Sequence, residues 1–411
     1  MARFLIDLTM CFAKGQTVFH GGGEYGKEAA RFLAANLPGH EVLALIREGT
    51  ADAVAAELGP AVALREVSDG PMRRLPADLD DAADTLFLPL PGKFLKGQGG
   101  AARPRIVAVE HDLRAFDAAH GISDRLCHPL LAPFWRRLAC AYAALCRRKR
   151  VRWATAKTRP RYDALREGDR VVAPSRYTQY AVYLNLDRIA PGREARFRDR
   201  LELLPPLSPF VDEAAPGEGG GERRGILMLG ANRAVKNADR FLEGLRRHAP
   251  AREAANREGI DLVGADGEVA EAFQRRHGAE LTLRCHPYVE AGRLQALIAG
   301  ARLLAYPSLA EGYGMPPVEA FRLGTPVLAG AVTAVPEVVG GAALLADPLD
   351  GSEMANKALQ LLDDPELWRA KADQGRERFR ELKADTLRRW ERFARDMDRL
   401  PTEKAAPEGA S

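Results

Sequence analysis

Two glutamates, Glu311 and Glu319, stand eight residues apart in YPSLAEGYGMPPVEAFRLGTPV, with a Gly-Tyr-Gly-Met-Pro-Pro bend between them. A carboxylate offers two acceptor oxygens to paired hydroxyls, so one of the pair could hold sugar hydroxyls and the other a diol such as a ribose. Gly312 and Gly314 let a ligand approach the backbone closely. Pro316 or Pro317 suits the first position of a helix, where a missing N–H costs nothing, and Gly324 would close that helix. The loop from Pro307 to Met315, with Tyr313 in it, is therefore expected to aim several backbone N–H groups and a helix N-terminus at one place, which favours phosphate. Glu319 falls in the first helical turn on this reading. Taken singly, each piece has a plainer use: Glu319 as a partner of the helix dipole, the glycines as a tight loop.

Two further stretches change that balance. In ILMLGANRAVKNADRF an apolar run ends at Gly230, and Arg233, Lys236 and Asn237 follow at the opening of a helix pattern. Two cations beside a glycine at the end of a strand suit a diphosphate leaving group. In VAVEHDL, within the other half of the chain, His111 and Asp112 stand at the end of a strand pattern. Neither Glu110 nor Asp112 marks itself as a nucleophile.

Elements that could position these groups alternate along the chain. Strand patterns run over Arg3–Leu8, Val42–Ile46, Thr85–Leu88, Ile106–Glu110 and Val171–Pro174. They resume at Ile226–Gly230, Asp261–Gly264, Leu281–Cys285, Leu303–Tyr306, Val327–Ala329 and Ala342–Ala346. Helix patterns lie between them, among them 237–248, 268–277, 290–300, 317–323 and 352–362. The first opens on the glycine turn Gly21, Gly22 and Gly23 and stops at Pro38-Gly39. Continuous apolar runs separated by helices indicate parallel strands covered on both faces. The expected architecture is α/β, with two Rossmann-like parallel-sheet domains facing across a cleft. Residues 1–207 form the first domain, the Pro/Gly-rich segment 208–224 a linker, and 225–385 the second domain. Residues 386–400 form a helix packing back on the first domain around Trp390, Phe393 and Met397, and 401–411 a disordered tail.

Composition excludes several classes. With 46% hydrophobic and 28% charged residues, the 411-residue chain is globular, and a net charge of +4 gives no field that would favour nucleic acid. Cysteines 11, 127, 140, 146 and 285 form no CxxC pair, so free thiols are expected. The apolar start is cut by Asp7, and no run reaches the ~18 residues of a membrane span, which points to the cytoplasm. One anomaly remains. From Arg147 to Arg161 the chain carries eight basic residues and no acidic one, near Trp135 and Trp153. This run is either a solvated face or a contact for an anionic surface, which leaves room for peripheral attachment to the inner face of the membrane.

Together these segments resemble the retaining glycosyltransferases of the GT-B fold, family 4, which include bacterial mannosyltransferases of polysaccharide biosynthesis. EGYGMPPVEAFRLGTPVLAG resembles that family's E-x7-E signature, LGANRAVKNADRF its phosphate-binding segment and EHDL its histidine motif. APSRYT resembles the segment entering its domain crossover. The resemblance implies that Glu311 contacts the donor sugar, with Gly312, Tyr313, Gly314 and Met315 at sugar and β-phosphate. It implies Glu319 on the ribose, with Gly230 and Asn237 among the donor-binding residues. Arg233 and Lys236 would sit on the departing diphosphate and His111 near the reacting carbon. Gly21–Gly23 would be the flexible loop on the acceptor side, with Asp112. The sequence departs from the family's common Gly-Arg-Leu, reading Gly230-Ala231-Asn232 with its arginine three residues past the glycine. No metal and no other cofactor is implied. Asp78/Asp80 and Asp396/Asp398 read as chance Asp-x-Asp matches.

The implied co-substrate is a nucleotide-diphosphate sugar, GDP-mannose ahead of a UDP-sugar, and the implied acceptor a saccharide or lipid-linked saccharide. The competing readings are a nucleotide-sugar 2-epimerase built on the same two domains, and a non-catalytic sugar-nucleotide-binding, membrane or RNA scaffold protein.

Overall fold

The computed structural model describes residues 2–11, 21–67, 75, 79, 83–91, 103–113, 116, 147–198, 200–211 and 223–399. Within them, β1 (Arg3–Asp7), β2 (Glu41–Arg47), β3 (Ala63–Val67), β4 (Thr85–Leu88), β5 (Arg105–Val109), β6 (Arg170–Ala173) and β7 (Leu201–Leu203) form one sheet. Its order is β3-β2-β1-β4-β5-β6-β7. A second sheet holds β8 (Ile226–Leu229), β9 (Ile260–Val263), β10 (Leu283–His286), β11 (Leu303–Tyr306), β12 (Val327–Gly330) and β13 (Leu344–Ala346). Its order is β10-β9-β8-β11-β12-β13, and every pairing in both sheets is parallel.

The apolar runs explain the central strands. All four residues of β4, β11 and β12 are buried, because helices cover both faces. Register follows: Ile6 pairs with Ala44 on one side and Phe87 on the other, and Leu304 lies between Val327 and Leu227. In each sheet the direction of strand addition reverses once, between β1 and β4 and between β8 and β11. Loops leaving the carboxyl ends of those pairs diverge, and the crevice they leave is where ligands bind in open parallel sheets.

The sequence patterns miss β3, β7 and the helix Ala249–Glu258. The first two are edge strands with largely exposed or half-buried side chains, so neither needs a continuous apolar run. The helix is separated from Ala238–Arg247 by His248 alone and buries only alanines, which carry little periodic signal.

The described residues fall into two compact units: Met1–Leu113 with Arg152–Val211 and Asp385–Ser411, and Arg114–Val151 with Asp212–Ala384. Part of the segment expected as linker is ordered structure. Ser208–Val211 is a helical turn, Arg224 N–H donates to the Gly300 carbonyl, and the Arg223 guanidinium donates to Thr325 Oγ1 and the Leu323 carbonyl. Residues 212–222 and the tail 401–411 lie outside the described residues, as do Trp135, Asp78, Asp80 and cysteines 127, 140 and 146. Cys11 and Cys285 are free thiols.

The C-terminal segment is one helix, Pro365–Asp398. Trp390, Phe393, Ala394 and Met397 recur at helical spacing and are buried in the first unit's core with Phe4, Tyr25 and Phe87. The indole N–H of Trp390 is satisfied by the Pro205 carbonyl at 2.8 Å.

Candidate functional site

The loops after β8 and β11 leave the second sheet at its reversal point, and they carry Lys236 and Glu311. Beyond Gly230 the chain closes a tight turn, Arg233 N–H to the Gly230 carbonyl, and then a single 3₁₀ turn, Ala234–Lys236. That turn is pinned to the neighbouring loop by Leu309 N–H donating to the Val235 carbonyl at 2.8 Å. Lys236 Nζ consequently lies 2.7 Å from Glu311 Oε1, donates to the Tyr306 hydroxyl at 3.1 Å and sits 4.6 Å from the centre of the Tyr306 ring. The two charged side chains are only 13% and 16% exposed.

Electrostatics follow from this seclusion. Burial pushes the Glu311 carboxyl up, but the charge and hydrogen bond of Lys236, with the neighbouring Ser308 and Tyr306 hydroxyls, hold it below the usual carboxylate range. The Tyr306 phenol is pushed well above its ordinary value by burial and by the Glu311 charge. Glu311 is thus an anion with its countercharge preset. Arg233, by contrast, is exposed, and its side chain makes no hydrogen bond or ion pair among the described residues.

Two expectations are corrected here. The helix starts at Met315, not at a proline, so Glu319 is its fifth residue and lies in the second turn, half-buried. Gly314 caps the helix at φ 108°, a left-handed geometry that glycine reaches without a Cβ clash. Pro316 and Pro317 occupy the first turn and carry no N–H, so that turn can present only the amides of Met315 and Val318. Lys236 and Arg233 add side-chain positive charge near this helix end. Asn237, expected among the donor-binding residues, is packed between the loops. It is buried in a left-handed conformation (φ 61°), and its side-chain amide donates to the Pro307 and Pro348 carbonyls at 3.1 and 2.6 Å. It ties the loops after β11 and β13 to the turn that follows β8. Tyr313 is likewise buried, 8% exposed, while Gly312 and Met315 are half-buried.

Sequence reading overlooked Thr333. It lies in the loop after β12, and its hydroxyl accepts the Glu311 N–H at 2.9 Å. A threonine in such a loop carries no recognisable signal.

The first unit gathers the remaining predicted residues at its own reversal point. Gly21, Gly22 and Gly23 are not a free loop but the first turn of the helix Gly21–Asn36. A Cβ on Gly23 would lie 2.1 Å from the Cys11 carbonyl oxygen, so only glycine lets the helix start this close to the end of β1. His111, after β5, is half-buried, meets Tyr25 edge-on at 5.4 Å and has Nε2 2.7 Å from the Pro89 carbonyl. A carbonyl can only accept, so Nε2 bears the proton. A Cβ on Gly22 would lie 3.4 Å from that ring nitrogen. Asp112 is half-buried beside it. Thr178, in the segment APSRYT, donates to the His111 carbonyl at 3.4 Å, and Ser175 caps the helix Arg176–Ile189. Glu110 turns into the protein: 6% exposed, it accepts from the Tyr162 hydroxyl and from Arg161, and burial raises its carboxyl above the usual range.

That contact also qualifies the basic run. It forms the helix Arg147–Asp163, in which Arg161 is committed to Glu110 and Arg159 pairs with Asp163 at 3.5 Å. Arg148, Lys149 and Arg152 are exposed, and Trp153 is 59% exposed with Lys157 at 5.2 Å from its ring centre. Among the described residues no helix is long and apolar enough to cross a membrane.

Comparison with known proteins agrees with the two-sheet fold. Residues 223–364 match the family described as "Glycosyl transferases group 1". The Escherichia coli O-antigen chain mannosyltransferase B is 41% identical over 106 residues, 26% of this chain and 28% of that protein. The MMP alpha-(1->4)-mannosyltransferase of Mycolicibacterium hassiacum is 33% identical over 174 residues, 41% of each chain. The matched stretches thus span less than half of these relatives. Among solved structures, Anabaena HepE in complex with UDP-glucose aligns with 97% of this chain and 100% of its own at TM-score 0.63 and 14% identity. Sucrose-phosphate synthase from Thermosynechococcus elongatus aligns over 97% of both chains at TM-score 0.62 and 16% identity. The chain has the GT-B fold of these proteins, and its residues 223–364 are similar to the group 1 glycosyltransferases.

The depressed Glu311 carboxyl has a pH signature. A group whose folded pKa lies below its unfolded value contributes stability above the unfolded value and loses it as pH falls through the folded one. The stability gap between wild type and Glu311→Gln should be level above about pH 5 and should narrow only below about 4.3. Chemical denaturation across pH 3–8 measures it (range set by the carboxylate values of roughly 4). A gap that already closes between neutrality and pH ~5 would contradict a depressed carboxyl.

Proposed function

We propose that this protein is a retaining hexosyltransferase, moving mannose from a nucleotide-diphosphate sugar to a saccharide or lipid-linked saccharide. The observation that carries this reading is the secluded Lys236–Glu311 pair with exposed Arg233 beside it, at the reversal point of the second sheet. The mannosyltransferases among its relatives favour mannose, and GDP-mannose precedes a UDP-hexose as donor. The transfer belongs to cell-surface polysaccharide or glycolipid biosynthesis.

In the proposed reaction the bond between the anomeric carbon and the diphosphate oxygen breaks while an acceptor hydroxyl attacks from the same face. Lys236 and Arg233 neutralise the charge that develops on the departing diphosphate, with the amides of the 312–315 loop and the N-terminus of the helix Met315–Arg322 behind them. Glu311 accepts hydroxyls of the sugar, and Glu319 holds the ribose. The diphosphate takes the acceptor's proton. Glu110, turned inward onto Arg161 and Tyr162, is ill placed as a covalent nucleophile, which favours same-face attack.

Lys236→Ala should lower kcat by about 10² to 10³, the usual cost of one preorganised electrostatic donor. A folded variant with near-normal kcat would remove Lys236 from the leaving group. Because the chain's own cations serve the diphosphate, turnover should also stand in EDTA; loss on chelation with recovery in Mg²⁺ or Mn²⁺ would count against the scheme.

The exposed Arg148, Lys149, Arg152 and Trp153 are proposed to hold the enzyme to an anionic membrane surface, each cation contributing about 1 kcal/mol. Changing the three cations to Gln should abolish sedimentation with acidic vesicles at low salt and leave donor binding intact. Sedimentation equal to wild type would reduce the run to a solvated face.

A further inference from the structure

Among the described residues only two that are not glycine enter the left-handed region, Asn237 at φ 61° and Thr333 at φ 52°. Both belong to the site just described. Asparagine enters that region readily, whereas for a β-branched residue it is an outlier held against its own sterics. Such outliers persist only where the surroundings impose them, and they concentrate where function needs them.

What the surroundings gain here is visible in the hydrogen bonds. Thr333 Oγ1 accepts the N–H of Glu311 at 2.9 Å, and the N–H of the next residue, Ala334, reaches the Glu311 carbonyl at 3.5 Å. The loop after β12 thus holds both main-chain groups of Glu311, while Lys236 holds its carboxylate at 2.7 Å. We propose that Thr333 is a positioning residue: its left-handed backbone places a hydroxyl where it fixes the Glu311 peptide, and so the direction in which the carboxylate leaves the chain. This inference rests on the assignment of Glu311 to the donor sugar.

Residue chemistry makes the idea separable from simple loop stability. Glycine adopts the conformation without strain but has no acceptor. Valine keeps the shape and the strain but also has no acceptor. Serine keeps the acceptor with one methyl fewer.

The test compares kcat, donor KM and melting temperature for Thr333→Ser, Thr333→Val, Thr333→Gly and Glu311→Gln. The serine variant should stay within about twofold of wild-type kcat. The valine and glycine variants should both lose on the order of tenfold, the rate equivalent of about one hydrogen bond, with donor KM little changed. Glycine, relieved of strain, should melt no lower than valine, so that turnover does not follow stability. Valine and glycine at wild-type kcat while Glu311→Gln is impaired would overturn the positioning role alone, as would a serine variant as slow as valine. A fully active Glu311→Gln would remove the assignment on which the inference rests.

Discussion

The contact on which the second unit's site depends is the ion pair between Lys236 and Glu311. Two opposite charges secluded from water stand 2.7 Å apart, with the Tyr306 ring and hydroxyl against the ammonium. Neither charge could stay buried alone, since stripping one partner from a buried pair typically costs about 3–5 kcal/mol. The loops around the pair are arranged accordingly. The Val235 carbonyl, the Asn237 amide and the Thr333 hydroxyl each tie one loop to another, and all four loops leave carboxyl ends of strands. The cation in this site is already desolvated and already aimed, which is where preorganised charge counts most.

The first unit solves a different problem with the same sheet type. Its reversal point is packed rather than charged: helix backbone runs against the Cys11 carbonyl, His111 is braced by Pro89 and Tyr25, and Tyr25 joins the aromatic cluster that includes Trp390. Rings and glycines there fix where the imidazole stands, and the Pro89 carbonyl fixes which nitrogen bears its proton. Glu110, the preceding residue, is turned inward and paired with Arg161.

Central strands were legible because burial on both faces demands continuous apolar runs, as at Leu303–Tyr306 and Thr85–Leu88. Edge strands β3 and β7 were not, since one face or more meets water and the pattern lapses. In the site, residue type and spacing were enough to nominate Lys236, Arg233, Glu311 and Glu319, because cations after a strand and paired carboxylates have few other uses together. Their partners were harder to read. Glu319 moved into the second turn because Met315, not a proline, begins the helix. Asn237 turned inward because its left-handed backbone directs the amide at two carbonyls. Thr333 gave no sign at all, because its importance lies in a backbone angle that no residue type announces.

Glu311 holds the Lys236 charge at rest, and central to the proposed function is that it yields that charge to a diphosphate. The most direct measurement is calorimetric titration of free GDP and UDP, which lack the sugar, into wild type, Lys236→Ala, Glu311→Gln and the double variant. If the two anions compete for one cation, Glu311→Gln should bind the preferred diphosphate more tightly than wild type and Lys236→Ala more weakly. In the Lys236→Ala background the Glu311 change should then lose its tightening effect, a coupling that the double-variant cycle isolates. Failure of both diphosphates to bind, or an equal effect of Glu311→Gln with and without Lys236, would contradict the account.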